Sequence, residues 1–338
     1  MNDRMGPPPI PAMAPETNES LTRSMIDQES ESRAISDSLK TLWVYIGSQF
    51  LISFALSLVL GFFMGFFLSV FLPYTGDSIY EVMTNVVLLG ATAASAIAAI
   101  AYGRKAFGIQ IEKTEFSPVK NWMDYIRKTC MCYSLTVPLL VLVSGISLVL
   151  ELLFGLYIPE AGNVNYSVGG ESVYFITAVI AAPILEEIVF RGLIFKALKK
   201  YSLSFAMVFS ALCFGLLHMN LFQGIPVFAM GILLAYFYHQ SNTLCLPIGI
   251  HMINNLISVL ASASLGAIST VLSFAPIVLC LIGFYFLSQE WSSIRSCFEN
   301  SVPAKPLWNI TAHKVSFWLL VALFGIMSIV VILFPGTI

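Results

Sequence analysis

Apolar residues run along this chain in long blocks, and short polar stretches separate them. A block of about 20 mostly apolar residues can cross a bilayer as a helix, which satisfies its own backbone hydrogen bonds. The pattern predicts nine such segments: 43–72, 82–102, 129–156, 173–198, 203–219, 225–238, 244–263, 269–287 and 315–334. The first is long for one crossing and must tilt or extend beyond the hydrocarbon. The sixth is the weakest, being short and opened by Pro226. The expected fold is an all-α polytopic membrane protein, a bundle of about eight to nine transmembrane helices over residues 41–338. Residues 1–40 break the pattern, with Pro-rich "MGPPPIPAMAP" followed by polar "ETNESLTRSMIDQESESR". They read as a disordered cytoplasmic tail with room for a short surface helix. The stretch lacks the basic start, apolar centre and cleavage site of a signal peptide.

Composition agrees with the pattern. The 338 residues are 57% hydrophobic and 11% charged. Soluble domains carry about 25% charged residues, so these charges cannot clothe a soluble surface of this size. A net charge of −2 gives no reason to expect a nucleic-acid partner.

The placement of basic residues predicts the orientation, because cytoplasmic loops collect Lys and Arg. Stretch 103–128 holds Arg104, Lys105, Lys113, Lys120, Arg127 and Lys128. The end of the fourth segment holds Lys196, Lys199 and Lys200, and stretch 288–314 holds Arg295, Lys305 and Lys314. The amino-terminal tail adds Arg4, Arg23, Arg33 and Lys40. Stretches 73–81, 157–172, 220–224, 264–268 and 335–338 hold no Lys or Arg. In an alternating nine-segment chain every basic residue except Arg191 falls on one side. The amino terminus is then cytoplasmic and the carboxyl terminus outside.

Other signals are generic. Gly61 and Gly65 form a G-x-x-x-G, and "ATAASAIAA" (91–99) is a small-residue face; both read as helix packing. No internal repeat is evident, which counts against a transporter of two related halves. The six cysteines form no C-x-x-C, so disulfides and a thiolate metal site are poorly supported. His239 and His313 fall in cytoplasmic loops and read as surface residues.

The informative residues are polar ones inside apolar segments, where burial is costly without a partner. "AAPILEEIVFRG" places Glu186, Glu187 and Arg191 in the fourth segment. Glu187 and Arg191 are four apart in the favoured order for a helical ion pair. Glu186 lies about 100° further round the helix, free for other work. Pro183 removes one helix hydrogen bond just before the pair and exposes a carbonyl. "FGLLHMN" places His218 late in the fifth segment. Counting from the turn near Tyr201, His218 lies within roughly 5 Å of the depth of Glu187. "PIGIHMINN" places His251 and Asn255 on one face of the seventh segment. Counted from Leu244, His251 should lie roughly 10 Å shallower than Glu186. The bland reading is a structural Glu187–Arg191 clamp with Glu186 facing a polar cavity.

Glu186-Glu187-x-x-x-Arg191, Phe214-x-x-x-His218 and His251-x-x-x-Asn255, in this order, resemble the CAAX-protease and bacteriocin-processing family. The resemblance spans residues 173–256, and the first three segments and the last carry no signature of it. It implies an all-helical intramembrane endopeptidase with a polar active-site cavity. Glu186 and His218 would activate water, His251 and Asn255 would stabilise the oxyanion, and Glu187, Arg191 and Phe214 would organise the site. A carboxylate out of water binds a proton more tightly, which suits a base, and two donors on one helix face suit an oxyanion. Zinc held by Glu186, His218 and His251 is the competing chemistry. The metal-free mechanism uses every motif residue, including Asn255, and is preferred. The resemblance also allows a non-catalytic bacteriocin-immunity role, or partnership with a sensor kinase or peptide exporter. Buried Glu, Arg and His can also serve an ion-coupled transporter. The compact loops suggest a bacterial cell membrane, with signalling peptides or bacteriocin precursors as substrates.

Overall fold

A computed structural model describes residues 18–71, 76–156, 168–262 and 267–334. Within them the chain forms ten longer helices, one turn of 3-10 helix at Lys113–Phe116 and no strand. These are α1 (Asn18–Phe71), α2 (Gly76–Phe107), α3 (Met123–Phe154), α4 (168–198), α5 (Leu203–Leu217), α6 (Leu221–Ser241), α7 (Cys245–Ser262), α8 (Ala267–Glu299), α9 (Lys305–Ala312) and α10 (Val315–Leu333). Eight are long and apolar enough to cross a membrane, and α5 is a shorter apolar helix. The protein is an all-α polytopic membrane protein. Large apolar side chains such as Phe54, Phe62, Leu152 and Val271 point outward. That arrangement suits a surface solvated by lipid.

Two boundaries differ from the sequence expectation. Residues 18–40 are helical and continuous with the first crossing, so position 40 is not an element boundary. One side of it packs inward: Ile35 and Leu39 are fully buried, as is Leu42 just beyond it. Ser38 and Thr41 return their hydroxyls to the Ala34 and Asp37 carbonyls at 2.8 and 2.7 Å. Residues 1–17 lie outside the described residues. The weak sixth segment is a full 21-residue helix, with Pro226 in its second turn and an Asn220 cap on Phe222 N–H. His239 therefore sits in α6, half-buried, rather than in a loop.

Close helix approaches occur at glycines that the pattern did not mark. A Cβ on Gly215 would lie 2.7 Å from the Gly224 carbonyl oxygen, and one on Gly231 would lie 3.0 Å from the Ala211 Cβ. These contacts bind α5 to α6. Gly61, half of the G-x-x-x-G, meets nothing within 4 Å, and Gly65 lies among residues whose side chains are not described. The small-residue face of α2 does pack: Ala91, Ser95, Ala96 and Ala99 are fully buried, and Ser95 donates to Gln49 of α1 at 2.6 Å.

The basic stretches meet at one end of the bundle. Tyr201 donates to the Ser30 carbonyl at 3.2 Å, Lys314 to Ser32 at 2.7 Å, and Ser202 to the Val302 carbonyl at 2.7 Å. The connection between α2 and α3 straps across this end. Thr243 Oγ1 lies 3.0 and 2.6 Å from the Glu115 and Ser117 carbonyl oxygens, between which its one hydrogen is shared, and Leu244 N–H donates to the Glu115 carbonyl at 2.6 Å. The Glu115 carboxylate takes Lys196 Nζ at 2.7 Å and the Tyr238 hydroxyl at 2.6 Å. One buried acid thus ties α4, α6 and the start of α7 together.

Candidate active site

Four helices build the polar centre of the bundle, three of them with side chains. α4 carries Glu186, Glu187 and Arg191, α5 carries Phe214 and ends at His218, α6 gives a backbone carbonyl, and α7 carries His251 and Asn255.

The centre is an ion pair with no exposure. Arg191 donates from Nη1 to Glu187 Oε1 at 2.8 Å and from Nη2 to the Gly231 carbonyl at 3.0 Å. Its guanidinium lies 4.6 Å from the centre of the Phe214 ring. Gly231 is required there because a Cβ would come within 3.3 Å of Arg191 Nη2. A buried pair needs such surrounding bonds to offset its desolvation.

Glu187 then orients His251. His251 Nδ1 lies 3.1 Å from Glu187 Oε1. A carboxylate paired with arginine accepts, so Nδ1 carries the hydrogen. Nε2 is left facing Glu186 Oε2 at 3.9 Å. The expected gap in depth between His251 and Glu186 is therefore absent. The 113–117 strap lies outside the first residues of α7, so that helix starts inside the bundle, with Leu244 and Leu246 fully buried.

His218 is fixed in the same sense. It follows α5 directly, and its Nδ1 lies 2.9 Å from the Phe214 carbonyl oxygen. A carbonyl only accepts, so Nδ1 carries the hydrogen and Nε2 is free to accept a proton. Met219, next in the chain, adopts φ +51°. This conformation costs a bulky residue about 1–2 kcal/mol and turns the chain sharply after His218. The Phe214 ring stands between the imidazoles, 5.3 Å from His218 and 5.5 Å from His251, nearly perpendicular to both.

Asn255 answers the carbonyl that Pro183 leaves. α4 widens into π-helical turns at Ile176–Ala181 and Ile188–Phe195, either side of the glutamates. Such turns concentrate at functional sites. In the first, Ala182 N–H reaches five residues back to the Thr177 carbonyl. The next donor in that series would be Pro183, which has no N–H, so the Ala178 carbonyl is left over. Asn255 Nδ2 donates to it at 2.8 Å, and Asn255 Oδ1 accepts from Asn254 at 3.2 Å. Tyr45 of α1, 3% exposed, comes within electrostatic reach of Glu186. Nothing in its local sequence separates it from the other aromatics of the first apolar segment.

Residues 169–257 match the family model described as type II CAAX prenyl endopeptidase Rce1-like. The matched segment is about a quarter of the chain. The matched residues hold every side chain described above except Tyr45. The chain is also 38% identical over 81 residues to a Bacillus subtilis (strain 168) protein named "Putative membrane peptidase YdiL". That alignment covers 24% of this chain and 33% of the relative. The chain thus spans a third of the length of the relative it matches. No solved structure matches the chain.

Among the described residues, no three His, Cys, Asp or Glu side chains converge as a group that could hold a metal ion.

Proposed function

We propose that this chain is an intramembrane endopeptidase of the glutamic type, acting on peptides or membrane-associated proteins. The observation that carries the reading is His251 suspended between two carboxylates. Glu187 holds Nδ1 at 3.1 Å, and Glu186 faces Nε2 at 3.9 Å. Glu187 is neutralised by Arg191, so Glu186 is the carboxylate left for proton transfer. The match to the family model and the name of the Bacillus relative support the same activity class.

In this mechanism Glu186 takes a proton from water as the oxygen attacks the scissile carbonyl carbon. The free Nε2 of His218 holds the water from its other side. With its Nδ1–H held by Glu187, His251 turns Nε2 inward, and a proton carried there is donated to the developing oxyanion. Glu186 then gives its proton to the departing amine as the C–N bond breaks, restoring the carboxylate. Asn255 has one amide hydrogen on the Ala178 carbonyl and a second for the oxyanion. Its first task is to hold α7 against α4.

The test is cleavage of membrane-anchored peptides by the full chain in proteoliposomes. Glu186→Gln should lower turnover by about 10²–10⁴-fold, the span of general acid–base catalysis, with little change in melting temperature. Metal content and activity after exhaustive chelation belong to the same experiment. Stoichiometric zinc whose removal stops cleavage would sink the glutamic mechanism. Ion flux without cleavage, abolished by Glu186→Gln, would favour a transporter.

A further inference from the structure

The turn between α4 and α5 opens onto a cavity of about 430 Å³ at the basic end of the bundle. Its walls include Lys199, Lys200, Ser202, His239, Asn300 and Ser301. The volume lies within the roughly 300–1,000 Å³ of small-molecule sites. No carboxylate lines it. The acid at the end of α8, Glu299, is already paired with Arg295 at 2.6 Å. Lys199 and Lys200 have no acidic partner among the described residues. Lys199 lies over the Phe195 and Tyr238 rings, and Lys200 over the Tyr201 ring. Burial, and then repulsion from Lys196, hold Lys199 below the ordinary lysine value, against a smaller pull from Glu115. The first turn of the 15-residue helix α5 adds the positive end of its dipole.

The cavity is therefore cationic and contains no anion of its own. It lies where α4 and α5 leave the apolar layer, at Leu198 and Leu203. This is the depth of lipid phosphates, and basic pockets between helices on such a face take lipid headgroups. We propose that this cavity binds a phosphate group, carried by an anionic phospholipid headgroup or by a soluble phosphate compound. Bound phosphate would neutralise the two lysines and brace the α4–α5 turn, independently of whether the chain cleaves peptides.

The experiment uses the full chain and two arms. One titrates inorganic phosphate into protein in uncharged detergent and reads the melting temperature. The other reconstitutes protein in nanodiscs of mixed phosphatidylglycerol and phosphatidylcholine and counts retained phosphatidylglycerol by native mass spectrometry. Lys199→Gln/Lys200→Gln should weaken binding at least tenfold in the arm that responds. Lys113→Gln/Lys120→Gln removes the same charge from exposed positions on the same end and should not. Retained phosphatidylglycerol identifies the lipid source; protection by phosphate without lipid retention identifies the soluble one. If neither ligand binds, or if both double variants bind alike, the proposal fails. Should the Lys199/Lys200 variant not fold, Lys200→Glu at its exposed position gives the same readout.

Discussion

Arg191 decides whether the polar centre stands. It is fully buried, bonds Glu187 and the Gly231 carbonyl through separate nitrogens, and lies over Phe214. A lysine ammonium cannot reproduce that fork. Arg191→Gln should cost about 3–5 kcal/mol, because Glu187 would be left as an unpaired buried charge. Arg191→Lys should recover only part of it. Melting temperatures in one detergent would check both, and a silent Arg191→Gln would refute the clamp. That Glu187 rather than Glu186 pairs with Arg191 was legible in the sequence, since Glu187 and Arg191 are four positions apart on a helix. The approach of His251 was not, because it depends on where α7 begins. That start is set by Thr243 and Leu244 bonding to a strap more than a hundred residues earlier. Tyr45 was invisible for a similar reason: only the packing of α1 brings it near Glu186.

At the level of elements, α4 is held open by proline and closed by asparagine. The sequence marked Pro183 as exposing a carbonyl, but which residue would serve that carbonyl follows only from the way α7 crosses α4. Asn255→Ala should leave the Ala178 carbonyl unpaired in the bundle, at about 1–3 kcal/mol. Pro183→Ala restores an N–H to the helix, so Pro183→Ala/Asn255→Ala should be more stable than Asn255→Ala alone. A double-mutant cycle on unfolding in detergent measures that coupling, and strict additivity would contradict it. The strap makes a separate prediction. Burial alone would raise the proton affinity of Glu115. Bonds from Lys196, Tyr238 and the Glu112 backbone, with the Lys196 charge, outweigh it and hold the carboxyl below its ordinary 4.5. Folded protein then binds fewer protons at Glu115 than unfolded protein. The stabilisation is present above about pH 4.5 and is lost as pH falls through the lowered value. Glu115→Gln should melt lower than wild type near neutrality, and the difference should shrink on acidification. A difference that is constant with pH would mean that the charge of Glu115 contributes nothing.

For the whole molecule, two independent features agree on one end. The sequence places every basic residue but Arg191 in alternate connections, and the fold bonds those connections to one another through Ser30, Ser32, Glu115, Ser117 and Val302. Segments about 280 residues apart, such as Ser32 and Lys314, could not meet this way if the helices between them crossed in another order. The long apolar helices were therefore readable from hydropathy, whereas the fifth of the nine expected segments is a 15-residue helix, shorter than the eight that are long enough to cross. The glycines that set the helix spacing were harder to pick out: Ala211 and Gly215, and Gly231 and Ala235, stand four apart as small pairs like Gly61 and Gly65, and only the packing tells which pairs meet a neighbour. Positive residues stay in the cytoplasm during insertion, so the strap, the cationic cavity and the α4–α5 turn should all be cytoplasmic. Cysteine scanning in intact cells tests this directly. Lys113→Cys lies on the strap, and Glu171→Cys lies at the opposite end of α4; both positions are exposed. A membrane-impermeant thiol reagent should label Glu171→Cys above the parent chain and reach Lys113→Cys only after the cells are opened. The reverse labelling would invert the protein.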